Sequence, residues 1–495
     1  MRTPFKRLSP RASRAPLFAF ALCCTIGATL LAPSDAAASG YLTARYGSDD
    51  GTPAMANAYA IYFNPGALGG TKGTTITGDV SAVVRWASYE RTTDALSPSD
   101  PNSKNDPAYV SANTGRANLL NILALPFLSV NTDFGGSERF RAGWAVYIPF
   151  GGQANWTKRE GVPGIPGTID GVSRWHNISG QILSVYNTFA FAVKLPAHLS
   201  IGASVSPIYH TVKTVRARNA DGSDDTVSGT NLIEGRSLLE AHGFNLGAAL
   251  GLYWEPNERL KLGLSYTSQP GFGETKMSGT LSNQVTSAQP GKADVDFYQT
   301  LPDILRLGAV VGATRKLDIR SDLELVRWSV FDKQCVVPKG QKCNVADDGR
   351  DLSGGQVVLN IPRRWNNTIG VRVGPAYQLN DRLQLIGSAG FATPAVPKST
   401  IDASTIDGLQ LLGAIGLRFV LNEHLAFGAA YNHIHYFTVD TKGANDQDIS
   451  AHPANQPATA TQPAGSDYNV SRSPSADGRY KSEVGFLNLN VAYTF

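Results

Sequence analysis

The chain has 495 residues, of which 42% are hydrophobic, only 17% are charged and 50 are glycine. The charged share lies below the roughly 25% usual in soluble domains, and the combination suits neither a typical soluble enzyme nor a helical membrane protein. Five basic residues and one acidic residue fall in the first 38 positions. Without them acids and bases balance, so the formal charge of +4 is no footprint for nucleic acid.

The first element in the chain is an export signal. Arg2, Lys6, Arg7, Arg11 and Arg14 precede an apolar stretch over 15–32, and Ala36 and Ala38 offer small residues for cleavage before Ser39. This predicts a signal peptide over 1–38.

Residues 39–73 form the second element, and they do not alternate. They hold a short helical stretch, "AMANAYAIYF", followed by Asn64-Pro65-Gly66. Tyr41, Tyr46, Met55, Tyr59, Ile61, Tyr62 and Phe63 make the segment too apolar to hang free in water. It is expected to fold into the lumen of the element that follows, as a plug.

From residue 74 onward the pattern has period two. In "ITGDVSAVVRW", Ile76, Val80, Ala82, Val84 and Trp86 oppose Thr77, Asp79, Ser81 and Arg85. In "FNLGAALGLYW", Phe244, Leu246, Leu250, Leu252 and Trp254 oppose Asn245, Gly247, Ala249 and Gly251. In "LDIRSDLEL", Leu317, Ile319, Leu323 and Leu325 oppose Asp318, Arg320, Asp322 and Glu324. Strict alternation means strands with two different environments. Strands are predicted near 74–90, 117–131, 139–152, 174–194, 198–216, 237–255, 259–278, 296–314, 317–332, 363–379, 382–395, 406–421, 424–440 and 480–495. Most exceed the about 5–6 residues usual in soluble proteins. Their polar face is small and glycine-rich rather than lined by Lys and Glu.

The connections decide the architecture. "DFGGSE", "PAH", "PNE", "RK", "ND" and "NE" are short; the alternate ones, 91–116, 153–173, 217–236, 279–295, 333–362, 396–405 and 441–479, are mostly long and polar. Short turns at one end, long loops at the other and an even strand number describe an antiparallel transmembrane β-barrel of the bacterial outer membrane. Closure also satisfies every backbone polar group in lipid. The expected fold is therefore all-β, a barrel of about 14 strands over 74–495 with an N-terminal hatch over 39–73. The chain ends in "FLNLNVAYTF", where Leu487, Leu489, Val491, Tyr493 and Phe495 oppose Asn488, Asn490, Ala492 and Thr494. The terminal aromatic resembles the signal read by the barrel assembly machinery.

After export only Cys335 and Cys343 remain, flanking "VVPKGQK". In an oxidising compartment they are expected to close a small loop as a disulfide, and no His lies near enough in sequence to complete a metal site.

The stretch "ARYGSDDGTPAMANAYAIYFNPGAL" resembles the N-terminal hatch of the FadL family, outer-membrane transporters of long-chain fatty acids and aromatic hydrocarbons. Asn64-Pro65 match that family's Asn-Pro-Ala motif; Gly66 departs from it, with Ala67 one place later. "LPDILRLGAVVGATRKLDIRSDLELVRWSVFD" is similar to the family's middle strands, and "RRWNNTIGVRVGPAYQLNDRLQLIGSAGFATPAVP" to its later pair. "TIDASTIDGLQ" departs from the family's usual Pro-Asp before an Arg.

The resemblance implies a channel for passive uptake of hydrophobic compounds, long-chain fatty acids first. The solute would meet an apolar groove among the outer loops, enter the lumen and leave sideways through the wall or past the hatch residues Tyr59, Phe63, Asn64 and Pro65. A lateral opening needs a strand that breaks its ladder, and "YIPFGGQANW" offers Pro149, Gly151 and Gly152 on the third strand. Arg85, Arg306 and Arg320 fall on the inward phase, where they could meet a carboxylate solute or pair with Asp79, Asp318, Asp322 or Glu324 to hold the hatch. An aromatic hydrocarbon would need only aromatic lining. A nonspecific porin would have an open polar lumen rather than a plug. A hydrolase would need a constellation around His433 and His435, two apart on one strand, for which no third ligand or activated nucleophile is visible. The reading expects no enzyme and no cofactor. Its partners are an apolar ligand, outer-membrane lipid and lipopolysaccharide, and the assembly machinery, around a monomer.

Overall fold

The structure is a computed structural model that describes residues 45–219, 221–284, 291–448 and 470–495. The export signal over 1–38, the first residues of the hatch and the centre of the 441–479 loop lie outside the described residues.

Fourteen antiparallel strands close into one barrel. They are β1 (Thr74–Arg91), β2 (Gly115–Thr132), β3 (Phe140–Asn155), β4 (Ser179–Lys194), β5 (Leu199–Arg218) and β6 (Gly235–Asn257). Four strands in two pieces follow: β7 (Leu260–Thr267 and Thr275–Gln284), β8 (Gly291–Gln299 and Ile304–Gly312), β9 (Leu317–Val326 and Lys333–Pro338) and β10 (Leu359–Pro362 and Thr368–Gln378). The set ends with β11 (Leu383–Ala392), β12 (Gln410–Val420), β13 (Leu425–Asp440) and β14 (Gly478–Thr494). β14 returns to β1 from Thr75↔Thr494 to Arg91↔Gly478, which closes the ring.

The interrupted strands differ from the sequence expectation. The predicted continuous strands at 259–278 and 296–314 break at 268–274 and 300–303. The predicted strand over 317–332 stops at Val326, and 333–338, expected as loop, is strand. Pro270 and Pro302 cannot donate to a ladder, and Gly271, Phe272 and Arg364 adopt positive φ. The fourth strand begins at Ser179 rather than 174, because Val172–Trp175 forms a 3-10 turn.

The alternation is realised as two surfaces. Leu487, Leu489, Val491, Tyr493 and Phe495 are exposed on the outer wall, with Phe244, Leu250 and Ile415. Inward from the same strand, Asn488 is buried and donates to Asp79 Oδ1 at 2.6 Å and to Ser81 Oγ at 2.9 Å. The last residue is tied in as well, since Phe495 N donates to Thr74 O at 2.9 Å.

The hatch packs against the inner wall. A single helical turn, Ala60–Phe63, runs into a 3-10 segment, Pro65–Gly70. Asn64 joins them: its Oδ1 accepts from Gly66 N, and its Nδ2 donates to Pro53 O at 2.7 Å and to Leu252 O of β6 at 2.8 Å. Pro65 fills the first helical position, where no N–H is needed. The inward glycines of the wall permit this approach. A Cβ on Gly202 would lie 2.3 Å from Pro65 O, and one on Gly251 would lie 1.9 Å from Asn64 Oδ1. The small residues of the polar face are thus the seat of the hatch.

Candidate functional site: a path through hatch, lumen and wall

The wall is incomplete between β2 and β3. β2 pairs with β1 along its whole length, from Thr74↔Thr132 to Arg91↔Gly115. It pairs with β3 only from Phe127↔Tyr147 to Thr132↔Ala142. β3 continues alongside β4 to Asn155↔Ser179, with a register shift between Tyr147 and Phe150 that marks a bulge at Ile148-Pro149. Above Tyr147 the facing edges of β2 and β3 share no ladder until an isolated bridge, Leu119↔Trp156.

Side chains stand in for the missing ladder. Ile148 N donates to the hydroxyl of the hatch residue Tyr46 at 2.6 Å, and Asn121 Nδ2 donates to Gln153 O at 3.2 Å. Gly151 and Gly152 follow the bulge directly; a Cβ on Gly151 would sit 3.2 Å from Leu183 Cδ2. On the lumen side of this gap β2 presents Leu119, Leu123, Leu125 and Phe127, all buried. The interruption therefore opens onto an apolar surface.

The hatch carries an aromatic cluster to the same level. Tyr46 packs on Tyr62, Phe127 and Tyr147 with ring centroids 5.1–5.8 Å apart, and Tyr59 lies 5.1 Å from Phe127. Tyr62 and Phe63 stack edge-on at 4.7 Å. Aromatic pairs of this kind add about 0.5–1.5 kcal/mol each beyond their area burial.

Charge holds the hatch in place. Arg306 donates to Glu324 at 2.7 Å and to Tyr62 Oη at 3.0 Å, and its guanidinium lies over the Tyr62 ring at 4.7 Å. Arg320 pairs with the hatch carboxylate Asp50 at 2.7 Å, and the hatch residue Arg45 with Asp322 at 3.2 Å. Two of the three inward arginines are therefore engaged by the hatch and the wall. Arg85 differs. It is buried, its Nε donates to Ser482 Oγ at 3.3 Å, its Nη2 has no hydrogen-bond partner, and it forms no ion pair among the described residues.

Two cavities of about 90 Å³ each lie beyond the hatch. One has an apolar wall that includes Ile182, Val212, Leu239, Leu281, Phe297 and Val336, with His176, Arg216 and Arg363 at its polar margin. Arg363 is held by Asp402 at 2.8 Å and by Gln334. In the loops that carry them, Asp402 and His176 are both shifted. Asp402 is pulled down to about 2 against the cost of its burial, chiefly by the Arg363 charge, and burial pushes His176 down to about 4. The other cavity is lined by Trp328, Trp365, Val371, Phe391, Ile434 and Tyr436, among others. Trp328, Phe331 and Trp365 pack there with centroids 4.5–6.0 Å apart. Tyr436, on the wall of this cavity, lies opposite Ser482 in the ladder, and Ser482 accepts from Arg85.

Sequence reasoning did not single out Arg363, Arg216, His176 or the Trp328–Trp365 cluster. Arg363, His176 and the Trp328–Trp365 cluster lie at strand breaks or in loops, outside the alternating runs, whereas Arg216 lies near the end of β5, opposite Ser237. "RRW" was the one visible signal, a charged pair beside an aromatic at a strand start. His433 and His435 sit on the outer wall, half-exposed, where both contact Glu483 at 3.1 and 2.6 Å. Among the described residues no cluster of His, Cys, Asp and Glu is arranged to hold a metal ion. Cys335, in the second piece of β9, and Cys343, in the connection to β10, are joined as a disulfide with a Cα–Cα distance of 6.2 Å.

Solved structures share this architecture. A FadL homologue of Pseudomonas aeruginosa superposes with a TM-score of 0.68 at 15% identity, covering 92% of this chain and 100% of that one. The toluene transporter TodX of Pseudomonas putida gives 0.61 at 12% identity, over 93% and 99%. TbuX, the toluene transporter of Ralstonia pickettii, gives 0.58 at 14%, over 93% and 99%. At these identities the likeness is one of fold. In sequence, NMB0088 of Neisseria meningitidis serogroup B, named as an outer-membrane protein, is 24% identical over 250 residues; the match covers 44% of this chain and 51% of that protein, about half its length. The family model described as outer membrane protein transport protein (OMPP1/FadL/TodX) matches residues 30–495, and the chain, an outer-membrane β-barrel with an internal hatch, belongs to that family.

Proposed function

We propose that this barrel admits hydrophobic compounds across the outer membrane, and that long-chain fatty acids are its principal solutes. Arg85 is the observation that carries the fatty-acid reading. A buried guanidinium with no carboxylate hydrogen-bonded to it is unfavourable by several kcal/mol, and Asp407 attracts Arg85 only through space. Arg306 and Arg320 have carboxylates within 2.7 Å; Arg85 has a serine. A carboxylate on an alkyl chain would supply the direct partner that Arg85 Nη2 lacks, and the apolar walls of the two cavities would hold the chain.

In this reading the solute passes from the outer loops into the cavities. It moves down the Leu119–Phe127 face of β2 and leaves for the lipid at the Ile148-Pro149 bulge. Pro149, Gly151 and Gly152 shape the opening. Tyr59, Phe63, Asn64 and Pro65 belong to the hatch that blocks the straight route to the periplasm. Aromatic hydrocarbons are the second reading, favoured by the Trp328–Phe331–Trp365 cluster.

Uptake of labelled oleate and labelled toluene separates the two, measured in cells lacking their own channel. With Arg85→Met, oleate uptake is expected to fall about tenfold, the weight of one charge-assisted contact near 1.4 kcal/mol, while toluene uptake is unchanged. Equal loss of both, or of neither, would remove Arg85 from the path. Toluene uptake without oleate uptake in the unaltered barrel would make it a hydrocarbon channel.

A further inference from the structure

A second interruption lies three strands further round the wall from the β3 bulge. β6 pairs with the first piece of β7 up to Ala249↔Thr267, and with the second piece from Ser278↔His242 onward. Between these points β6 advances through 243–248 and β7 through 268–277, so β7 carries the longer segment. Ser268 stays attached, its N donating to Ala248 O at 2.8 Å and its Oγ accepting from Ala248 N at 3.0 Å. Residues 269–274 then leave the wall. Phe272 holds a φ of +56° and is 64% exposed, and Phe244 of β6 is 73% exposed. A bulky residue in the left-handed region is strained, and such strain persists only where the surroundings enforce it.

The interruption falls within the apolar belt. On β6 the outward residues Trp254, Leu252, Leu250, Leu246 and Phe244 are all exposed, and the last two stand at the break. Unpaired backbone there is costly in hydrocarbon. Behind it Asn245 Oδ1 is buried without a partner. A narrow cavity of about 10 Å³ continues inward, lined on this side by Gly247, Ala248, Thr267 and Ser268 and on the far side by Tyr147, Pro149 and Phe150. The hatch residues Ile61 and Tyr62 also line it. One strip of free space thus touches both wall interruptions.

We propose that the break between β6 and β7 is a second side port, covered by the 269–274 segment as a flap, through which uncharged alkyl or aromatic parts of a solute pass between lumen and lipid. This rests on the transport reading above. No charged side chain lines the strip, so the port suits the apolar body of a solute and not its head group.

A cross-link tests it. A Cβ built on Gly271 lies 3.8 Å from Asn245 Cβ, within the usual Cβ–Cβ range of a disulfide. The double variant Asn245→Cys/Gly271→Cys is assembled in cells, oxidised, and assayed for oleate and toluene uptake before and after a thiol reductant. The unaltered barrel is treated in parallel, since it carries Cys335–Cys343. At least a twofold fall on oxidation, recovered on reduction and absent from the unaltered barrel, is expected. Uptake unchanged in the cross-linked barrel would overturn the port alone. Absence of uptake already in the unaltered barrel would overturn the transport reading, and the port with it. Gly271 has positive φ, so if the double variant does not assemble, Ser268→Trp, which fills the strip from within, is put to the same assay, with the same fall expected and unchanged uptake again overturning the port.

Discussion

Asp79 of β1 accepts a hydrogen bond from the hatch residue Tyr59 at 2.7 Å, and Gly47 N of the hatch donates to the same oxygen at 2.8 Å. The other carboxylate oxygen takes Asn488 Nδ2 of the closing strand at 2.6 Å. One buried side chain therefore ties the hatch to the seam where the barrel closes. Asp79→Ala leaves Tyr59 Oη and Gly47 N without their acceptor, at about 1–3 kcal/mol for each that stays buried, while Asn488 Nδ2 keeps Ser81 Oγ. The expected outcome is a hatch that is cut by added protease in the assembled barrel and a rise in single-channel conductance. Tyr59→Phe removes one bond of the set and should shift hatch protection by about 1 kcal/mol. A hatch as resistant in Asp79→Ala as in the unaltered barrel would show that this carboxylate does not hold it.

The Asp50–Arg320 and Arg306–Glu324 pairs make a related prediction with a different signature. Both bonds are 2.7 Å long and largely shielded from water. Removing one partner of such a pair strands a charge and costs about 3–5 kcal/mol; removing both costs much less. Arg320→Gln should therefore destabilise the folded barrel to urea more than Asp50→Asn/Arg320→Gln together. A double-mutant cycle with additive effects would show that the pair contributes no coupling.

Much of this architecture was legible because lipid on one side and lumen on the other impose period two on every strand. Asn488 and Leu489 could be assigned to opposite faces from their neighbours alone. The loop asymmetry supplied orientation and strand number. The breaks in β7 to β10 were not legible in the same way. Pro270-Gly271 and Pro302 are turn signals that also occur at strand bulges and ends, and only the pairing of β7 and β8 with their neighbours shows where the ladder stops. Partner choice was the other hidden layer. Arg306 and Arg320 were visible as inward charges, but Tyr62 lies 244 residues and Asp50 270 residues away in sequence. Nothing local distinguishes them from Arg85, which found no carboxylate.

The Cys335–Cys343 disulfide spans a sequence separation of only 8, so its effect should be local. Chain-entropy arguments give a loop of this size about 2–3 kcal/mol. The half-cystine Cys335 packs with Tyr298, Val337, Val357 and Val470 in a small cluster away from the hatch. Cys335→Ser/Cys343→Ser is expected to assemble and to keep a protected hatch, but to become susceptible to protease at residues 339–342. Loss of the assembled barrel itself would mean that the cross-link acts during folding rather than on the finished loop.

The outer loops should loosen in acid, and the order of events can be worked out from two groups. His176 is held near 4, below its ordinary value of 6.5, because burial disfavours the imidazolium, with Arg91 and Arg216 adding to that and Asp402 opposing it. A loop opened to water would take up the proton that the packed loop refuses. Its contribution to packing is therefore whole above pH 6.5 and is lost as pH falls toward 4. Asp402, held near 2 in its pairing with Arg363, contributes fully above its ordinary 3.8 and is lost only as pH falls through 2. Of these two groups only the histidine acts between pH 6.5 and 4, and its shift is on the order of 3 kcal/mol at about 1.4 kcal/mol per pH unit. Hydrogen exchange of the 156–178 loop, corrected for intrinsic rates, should accelerate across that window in the unaltered barrel. His176→Gln, which cannot take up the proton, should flatten the profile there and leave the second loss below pH 3.8 intact. A profile that stays steep between pH 6.5 and 4 in His176→Gln would place the acid sensitivity on another group.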